Sequence, residues 1–293
     1  MKTAHRRSYL VSVFVFVSTL GLFTLCYSHF GDEILRIDNG QVRTLSQILP
    51  DISAVPVTFI GEIHSDIHHH DLQLRVIRAL HESDIPVTIA MEMVDREEQE
   101  SLDRWVRGDL DEEKFREIFE DNWPVSWDLY RDIFIFARFH GIPVLGLNVP
   151  DEITEQVARE GFSSLSGDQL EKLPGVSCDV DEDYMKLMKL ALKMHGSDAD
   201  TSRFTNFCEA QMVWDTTMAH TLIEYSERKR DRRIIVLAGN IHAWKHGIPE
   251  QFRRKAPSTP YRVVLPEIPL RQTRGSITPD RADYLWLAPS SFE

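Results

Sequence analysis

Two tetrapeptides of one form, Gly61-Glu62-Ile63-His64 and Gly239-Asn240-Ile241-His242, stand far apart in this chain. Each closes a β-branched, apolar run: Val57–Ile60 before the first and Ile234–Ala238 before the second. A histidine near neutral pH is a proton carrier, a hydrogen-bond partner or a metal ligand. A glycine at the strand end lets the backbone turn tightly or approach another group, because it has no Cβ. The repeated pattern therefore predicts two histidines aimed at one place. Glu62 and Glu92 also follow apolar runs, where an unpaired carboxylate is costly to bury. They are candidates for proton transfer, with pairing to an arginine such as Arg96 or Arg131 as the structural alternative.

His68 lies four residues after His64, one helical turn if a helix begins there. With His242, the pair His64 and His68 would make a three-histidine site for a divalent metal ion. Two histidines and a carboxylate would serve equally, and Glu62 or Glu92 would then activate water as general base. The dense run His68-His69-His70 also reads as a solvated first turn with one histidine turned inward. His70, His81, His140, His195, His220 and His246 read as surface or capping residues. Gln211 and Asp215, one turn apart, are candidates for the site or for a half-buried structural face. Trp123, Trp127 and Tyr130 read first as core packing. The sharper alternative is a flat macrocyclic ligand with Tyr130 as oxygen ligand to ferric iron.

Strand and helix patterns alternate around these residues. Strands are expected at Val57–Ile60, Val87–Val94, Pro143–Asn148, Ile234–Ala238 and Tyr261–Leu265. Helices are expected at 66–82, 95–107, 111–120 and 127–140, the last stopped by Gly141. This order predicts an α/β fold with a mostly parallel sheet flanked by helices. Residues 152–228 break the rhythm with two longer helical stretches, 184–195 and 204–227, and read as a helical insertion or cap. The expected organisation is a single domain over 29–270 and a loosely packed tail over 271–293. Ligands of such sheets bind beyond the carboxyl ends of the strands. There Glu62, His64, Glu92, Asn148, Asn240 and His242 would converge.

Lys and Arg total 33 against 46 Asp and Glu, a net charge of −13. Removing the three basic residues of the first 28 leaves −16, which argues against nucleic acid or an anionic membrane surface as general electrostatic partners. Lys2, Arg6 and Arg7 precede an uncharged apolar stretch from Leu10 to Leu25, so residues 1–28 read as an export signal. Phe23-Thr24-Leu25-Cys26 departs from a lipobox at Leu25, which leaves a lipid anchor on Cys26 and cleavage after Ser28 as alternatives. The expected location is the periplasm or the membrane-anchored face of the cell envelope. Export would allow Cys178 and Cys208 one disulfide, although Cys208 sits in an apolar helical pattern and reads as a small packed hydrophobe.

Taken in order, the motifs resemble the ChaN-type haem-binding uptake family. That family lies in a superfamily with the Tiki and TraB proteins and is related to erythromycin esterases. The matching residues are Gly61–His64 with His68-His69, Ala90–Met93, Trp127 with Tyr130, Asn148, Gln211 with Trp214-Asp215, and Gly239–His242 leading to Gly247–Pro249. The resemblance implies an α/β fold, an envelope location, and haem binding in a homodimer through a tyrosine-type ligand. Tyr130 and Tyr184 are the candidates for that ligand, and Lys186 and Lys189 beside Tyr184 would meet propionates. It equally allows a Tiki-like, metal-dependent hydrolase built on His64, His242 and a glutamate.

Overall fold

The computed structural model describes residues 33–173 and 201–288, together with 176, 182, 184–186, 188 and 189. The expected leader (1–28, with Cys26), Cys178 and most of the 184–195 helix lie outside the described residues. Eight strands form one sheet: β1 Ile34–Arg36, β2 Gln41–Arg43, β3 Val57–Glu62, β4 Val87–Asp95, β5 Val144–Asn148, β6 Arg233–Gly239, β7 Tyr261–Pro266 and β8 Tyr284–Trp286. Their spatial order is β2-β1-β8-β7-β3-β6-β4-β5. The run from β8 to β5 is parallel, and β1 and β2 are antiparallel to their neighbours. The α/β fold with a mostly parallel sheet is thus present.

The helices are α1 Leu45–Ser53, α2 Ile67–Glu82, α3 Gln99–Arg107, α4 Glu112–Asn122, α5 Trp127–His140, α6 Asp151–Glu160, α7 Gly167–Glu171, α8 Thr201–Arg228, α9 Asn240–Ala243 and α10 Ile248–Lys255. Local chemistry sets their ends. Asp66 caps α2 by accepting from the His68 backbone N–H at 3.0 Å. Gly141 ends α5 in the left-handed region, φ 62°, where other residues would be strained. The expected 95–107 helix begins later, because Arg96–Glu98 forms a 3-10 turn before α3.

Strand periodicity divides the core. Ile60, Val87, Ile89, Met91, Ile235 and Leu237 point to one face, with the apolar stripes of α2 to α5. Val57, Phe59, Ala90, Ile234, Val236 and Ala238 point to the other, with α8 and α10. The aromatic group resolves as core: Trp127 is 1% exposed and stacks on Phe134 at 5.2 Å. The second face is covered by α8, which packs on α6, α10 and β5. Cys208 is a buried free thiol on α8, as its apolar setting suggested.

The segment after Arg271 corrects the sequence reading. It does not lie loosely on the surface, because β8 is inserted between β7 and β1. Tyr284, Leu285 and Trp286 are all buried, Leu285 completely. A three-residue strand flanked by turn-forming residues carries too little periodicity to stand out in a sequence. Removing a fully buried leucine side chain leaves a cavity that the fold cannot close. Leu285→Ala should cost about 3 kcal/mol of unfolding free energy in a urea titration. A change below about 0.5 kcal/mol would restore the loose-tail reading.

Candidate functional site

The two Gly-x-x-His motifs close adjacent parallel strands, with Gly61 opposite Ala238 and Glu62 opposite Gly239. Alternation along β3 sends Glu62 toward α2 and α5, and along β4 it sends Glu92 toward α8. The glycines make this interlock possible. A Cβ on Gly61 would lie 2.7 Å from Asn240 Oδ1, and one on Gly239 would lie 2.7 Å from His64 Nε2. Each motif's glycine therefore leaves room for a polar side chain of the other. The expected tight approach is to the partner motif itself.

Glu62 is 1% exposed and enclosed by donors. His64 Nδ1 lies 2.7 Å from Oε1 and Gln73 Nε2 lies 2.6 Å from Oε2. Tyr130 donates its hydroxyl to Oε1, and His70 Nε2 is 3.4 Å away. Burial alone would push this carboxyl upward, but the His64 hydrogen bond and the nearby His70 ring outweigh it and hold Glu62 well below the usual carboxylate range. An ionised carboxylate only accepts, so His64 carries its proton on Nδ1, and its Nε2 lies over Gly239. Burial lowers His64, whereas the Glu62 hydrogen bond and the Glu92 charge raise it, with a net upward shift.

A second pair stands opposite. His242 Nδ1 donates to Asp215 Oδ1 at 2.7 Å, and Tyr184 donates its hydroxyl to Asp215 Oδ2 at 2.8 Å. Glu92 Oε2 accepts the Gly239 backbone N–H at 2.6 Å, and its Oε1 lies 3.7 Å from His242 Nε2. Burial would lower His242, but the charges of Glu92 and Asp215 outweigh it and hold its pKa up at about 9. Each histidine also meets a tryptophan edge, His64 with Trp123 at 4.9 Å and His242 with Trp214 at 5.8 Å. Between the motifs opens a cavity of about 200 Å³, lined by His64, His242, Ile63, Ile241, Ile268 and Arg271 among others.

The structure thus brings Glu62, His64, Glu92, Asp215, His242, Tyr130 and Tyr184 together, and it separates others. His68 is exposed and lines a different cavity from the one shared by His64 and His242, so the three-histidine set is not assembled. Among the described residues no group of three or more His, Cys, Asp or Glu is arranged to hold a metal ion. The inward histidines of the run are His69, whose Nδ1 accepts the Ile63 N–H at 2.9 Å, and His70, 2% exposed against Tyr130. His70 therefore does not behave as a surface residue. Neither Arg96 nor Arg131 serves the buried glutamates, since Arg131 pairs with Glu112.

Tyr130 and Tyr184 do not suit an iron ligand at an open surface. They are 0% and 4% exposed, and both hydroxyls are committed to carboxylates. Burial, then the Glu62 charge, drives the Tyr130 phenol far above its ordinary range and disfavours a phenolate. Asn148 ends β5 with Oδ1 taken by the Val149 N–H, and Gln211 is buried one turn before Asp215. Asn240 joins a clamp that sequence reading missed. Its Nδ2 and the Trp244 indole N–H both donate to Gln272 Oε1 at 3.0 Å. A lone glutamine in the presumed loose tail gave no signal.

A group whose folded pKa is raised contributes stability that is complete below its unfolded value and lost above the folded one. For His242 that window runs from an ordinary 6.5 to about 9. The melting temperature should therefore fall between pH 7 and pH 10 by on the order of 5 °C more in the wild type than in Asp215→Asn. Parallel pH profiles of the two proteins would refute the pairing.

Residues 48–252 match the model of a protein family described as haem-binding uptake, Tiki superfamily, ChaN. The fold is similar to that of a solved structure titled "Cofacial heme binding to ChaN of Campylobacter jejuni", with TM-score 0.69, 20% identity, and coverage of 86% of this chain and 95% of that one. The type III effector HopBA1 is similar at TM-score 0.51 and 14% identity, over 84% of this chain and 94% of its own. Protein RETICULATA-RELATED 5, chloroplastic, of Arabidopsis thaliana is 23% identical over 248 residues, 78% of this chain. The chain spans 34% of that relative's length.

Proposed function

The chain belongs to this haem-binding uptake family, and from that premise we propose that it binds haem for iron acquisition in the cell envelope. The observation that carries the reading is the setting of His64. Its ring is backed by ionised Glu62, its side chain is 31% exposed, and it opens on a cavity walled by isoleucines. A carboxylate behind one ring nitrogen fixes the tautomer and raises the basicity of the other, as at histidines that hold metals. His64 is then the residue to hold the iron, in place of Tyr130 or Tyr184. Bound haem would supply a Lewis-acidic iron. The chain supplies an imidazole of fixed orientation, apolar walls and a buried counter-charge. Export through the N-terminal leader, anchoring by signal or lipid, and a homodimer belong to the same proposal. Among the described residues no helix is long and apolar enough to cross a membrane.

One observation favours a second reading, a hydrolase without the three-histidine metal. Glu62–His64 is a carboxylate-backed base, and His242 at about 9 is a cation at neutral pH. His64 would take a proton from water attacking an acyl carbon, and the His242 imidazolium would stabilise the oxyanion.

Ferric haem titrated into the purified protein should give a shifted Soret band. His64→Ala should weaken binding at least about tenfold, the loss of the residue that would hold the iron, while Tyr130→Phe and Tyr184→Phe leave the band position unchanged. No spectral change on haem addition would sink haem binding. Acyl-ester cleavage that disappears in His64→Ala would then favour the hydrolase.

A further inference from the structure

A separate cavity, of about 320 Å³, opens beside the first residues of the edge strand β5, between α3 and the last turn of α8. It lies toward the amino ends of the strands, whereas the two Gly-x-x-His motifs stand at the carboxyl ends. Pro143, Val144 and Leu145 give it an apolar wall. Its polar walls are anchored to the sheet. Gln99 spans the free edge of β5, donating to the Val144 carbonyl oxygen at 2.8 Å and accepting the Gly146 N–H at 3.2 Å. The Tyr225 hydroxyl is hydrogen-bonded to that of Thr88 at 2.9 Å, and Arg232 Nη1 donates to the Val87 carbonyl oxygen at 3.0 Å.

Three cations, Arg228, Lys229 and Arg232, line this cavity. They belong to a run of five in six residues, Arg228 to Arg233, interrupted only by Asp231. The carboxyl end of a helix favours positive charge within its last turn, but the run continues past α8 to the start of β6. Among the described residues no carboxylate pairs with Arg228, Lys229 or Arg232. Arg233, by contrast, donates to the Ser53 carbonyl oxygen at 2.6 Å. The one acid in the lining, Asp103, already accepts from Gln99 Nε2 at 2.9 Å. Three like charges around one cavity repel one another, and a bound anion would remove that repulsion. Two guanidinium forks and an ammonium offer more donors than the two oxygens of a carboxylate can use, and they suit the oxygens of a phosphate group.

We propose that this cavity binds a phosphate group carried on a small apolar body. Arg228, Lys229 and Arg232 hold the phosphate oxygens, and Pro143, Val144 and Leu145 meet the apolar part. A soluble organic phosphate and the headgroup of a phospholipid present this same chemistry. The site stands apart from the strand-end cavity and does not depend on haem binding there.

The test titrates phenyl phosphate and inorganic phosphate into the purified full chain in a calorimeter. Phenyl phosphate should bind saturably and about tenfold tighter than inorganic phosphate, the worth of a modest apolar contact. Replacing two exposed cations together, Arg228→Gln with Lys229→Gln, should weaken phenyl phosphate at least about tenfold. Arg232→Gln should do the same, and Arg232→Lys should keep part of the affinity, because lysine offers a point charge without the fork. Lys114→Gln, an exposed cation on α4 outside the cavity, should change nothing. Vesicles of phosphatidylcholine with phosphatidic acid separate the two sources. Sedimentation with them that is lost in the double variant assigns the phosphate to a lipid headgroup, and phenyl phosphate binding without sedimentation assigns it to a soluble ester. The proposal is overturned if the wild type neither binds phenyl phosphate nor sediments. It is equally overturned by binding of either kind that survives the double variant, or that Lys114→Gln weakens as much.

Discussion

Three carboxylates, Glu62, Glu92 and Asp215, are held at 1%, 5% and 1% exposure at one end of the sheet. Removing an ionised carboxylate from water costs several kcal/mol unless donors replace its hydration. This constraint organises the molecule. Glu62 draws Gln73 and His70 from α2 and Tyr130 from α5, whereas Asp215 on α8 draws Tyr184 and His242. The helices that cover the two faces of the sheet are thus also the source of the partners that its polar edge demands.

The sheet makes the two halves unequal. Alternation along β3 and β4 sends Glu62 to one face and Glu92 to the other, so the site straddles the strand ends. Glycines at the two junctions let the side chains of neighbouring motifs lie directly over the backbone. His64 emerges partly exposed on the open side. His242 lies between Asp215 and Glu92 with 11% of its side chain exposed. One histidine is partly exposed in the lining of the cavity, and the other supplies a nearly buried positive charge.

Haem binding and acyl hydrolysis draw on the same asymmetry. Both need an imidazole whose orientation and protonation are set by a buried acid. Both also gain from buried acids that are hydrogen-bonded from within the chain. The rim of the cavity is the Ile268–Gln272 hairpin. There Gln272 ties the hairpin to Asn240 and Trp244, leaving Arg271 as an outward-directed charge. A chain of net charge −13 thus presents a cation at the mouth of its cavity.

The sequence by itself determined the parallel α/β sheet, the strands that carry Glu62 and Glu92 or lead into His242, and the repeat of the two motifs. These are period-two patterns closed by glycine, and local sterics dictate them. It put His68 in the site and His70 on the surface, whereas His69 and His70 turn inward, since all three fall within one turn and only the packing of α2 chooses among them. It placed Trp127 and Tyr130 on one face without revealing that this face is core, so Tyr130 looked available to iron. The strand β8 and the Gln272 clamp were hidden for a related reason. Both take their meaning from segments distant in sequence, β1 for the strand and Asn240 with Trp244 for the glutamine, and only the closed tertiary structure brings them together.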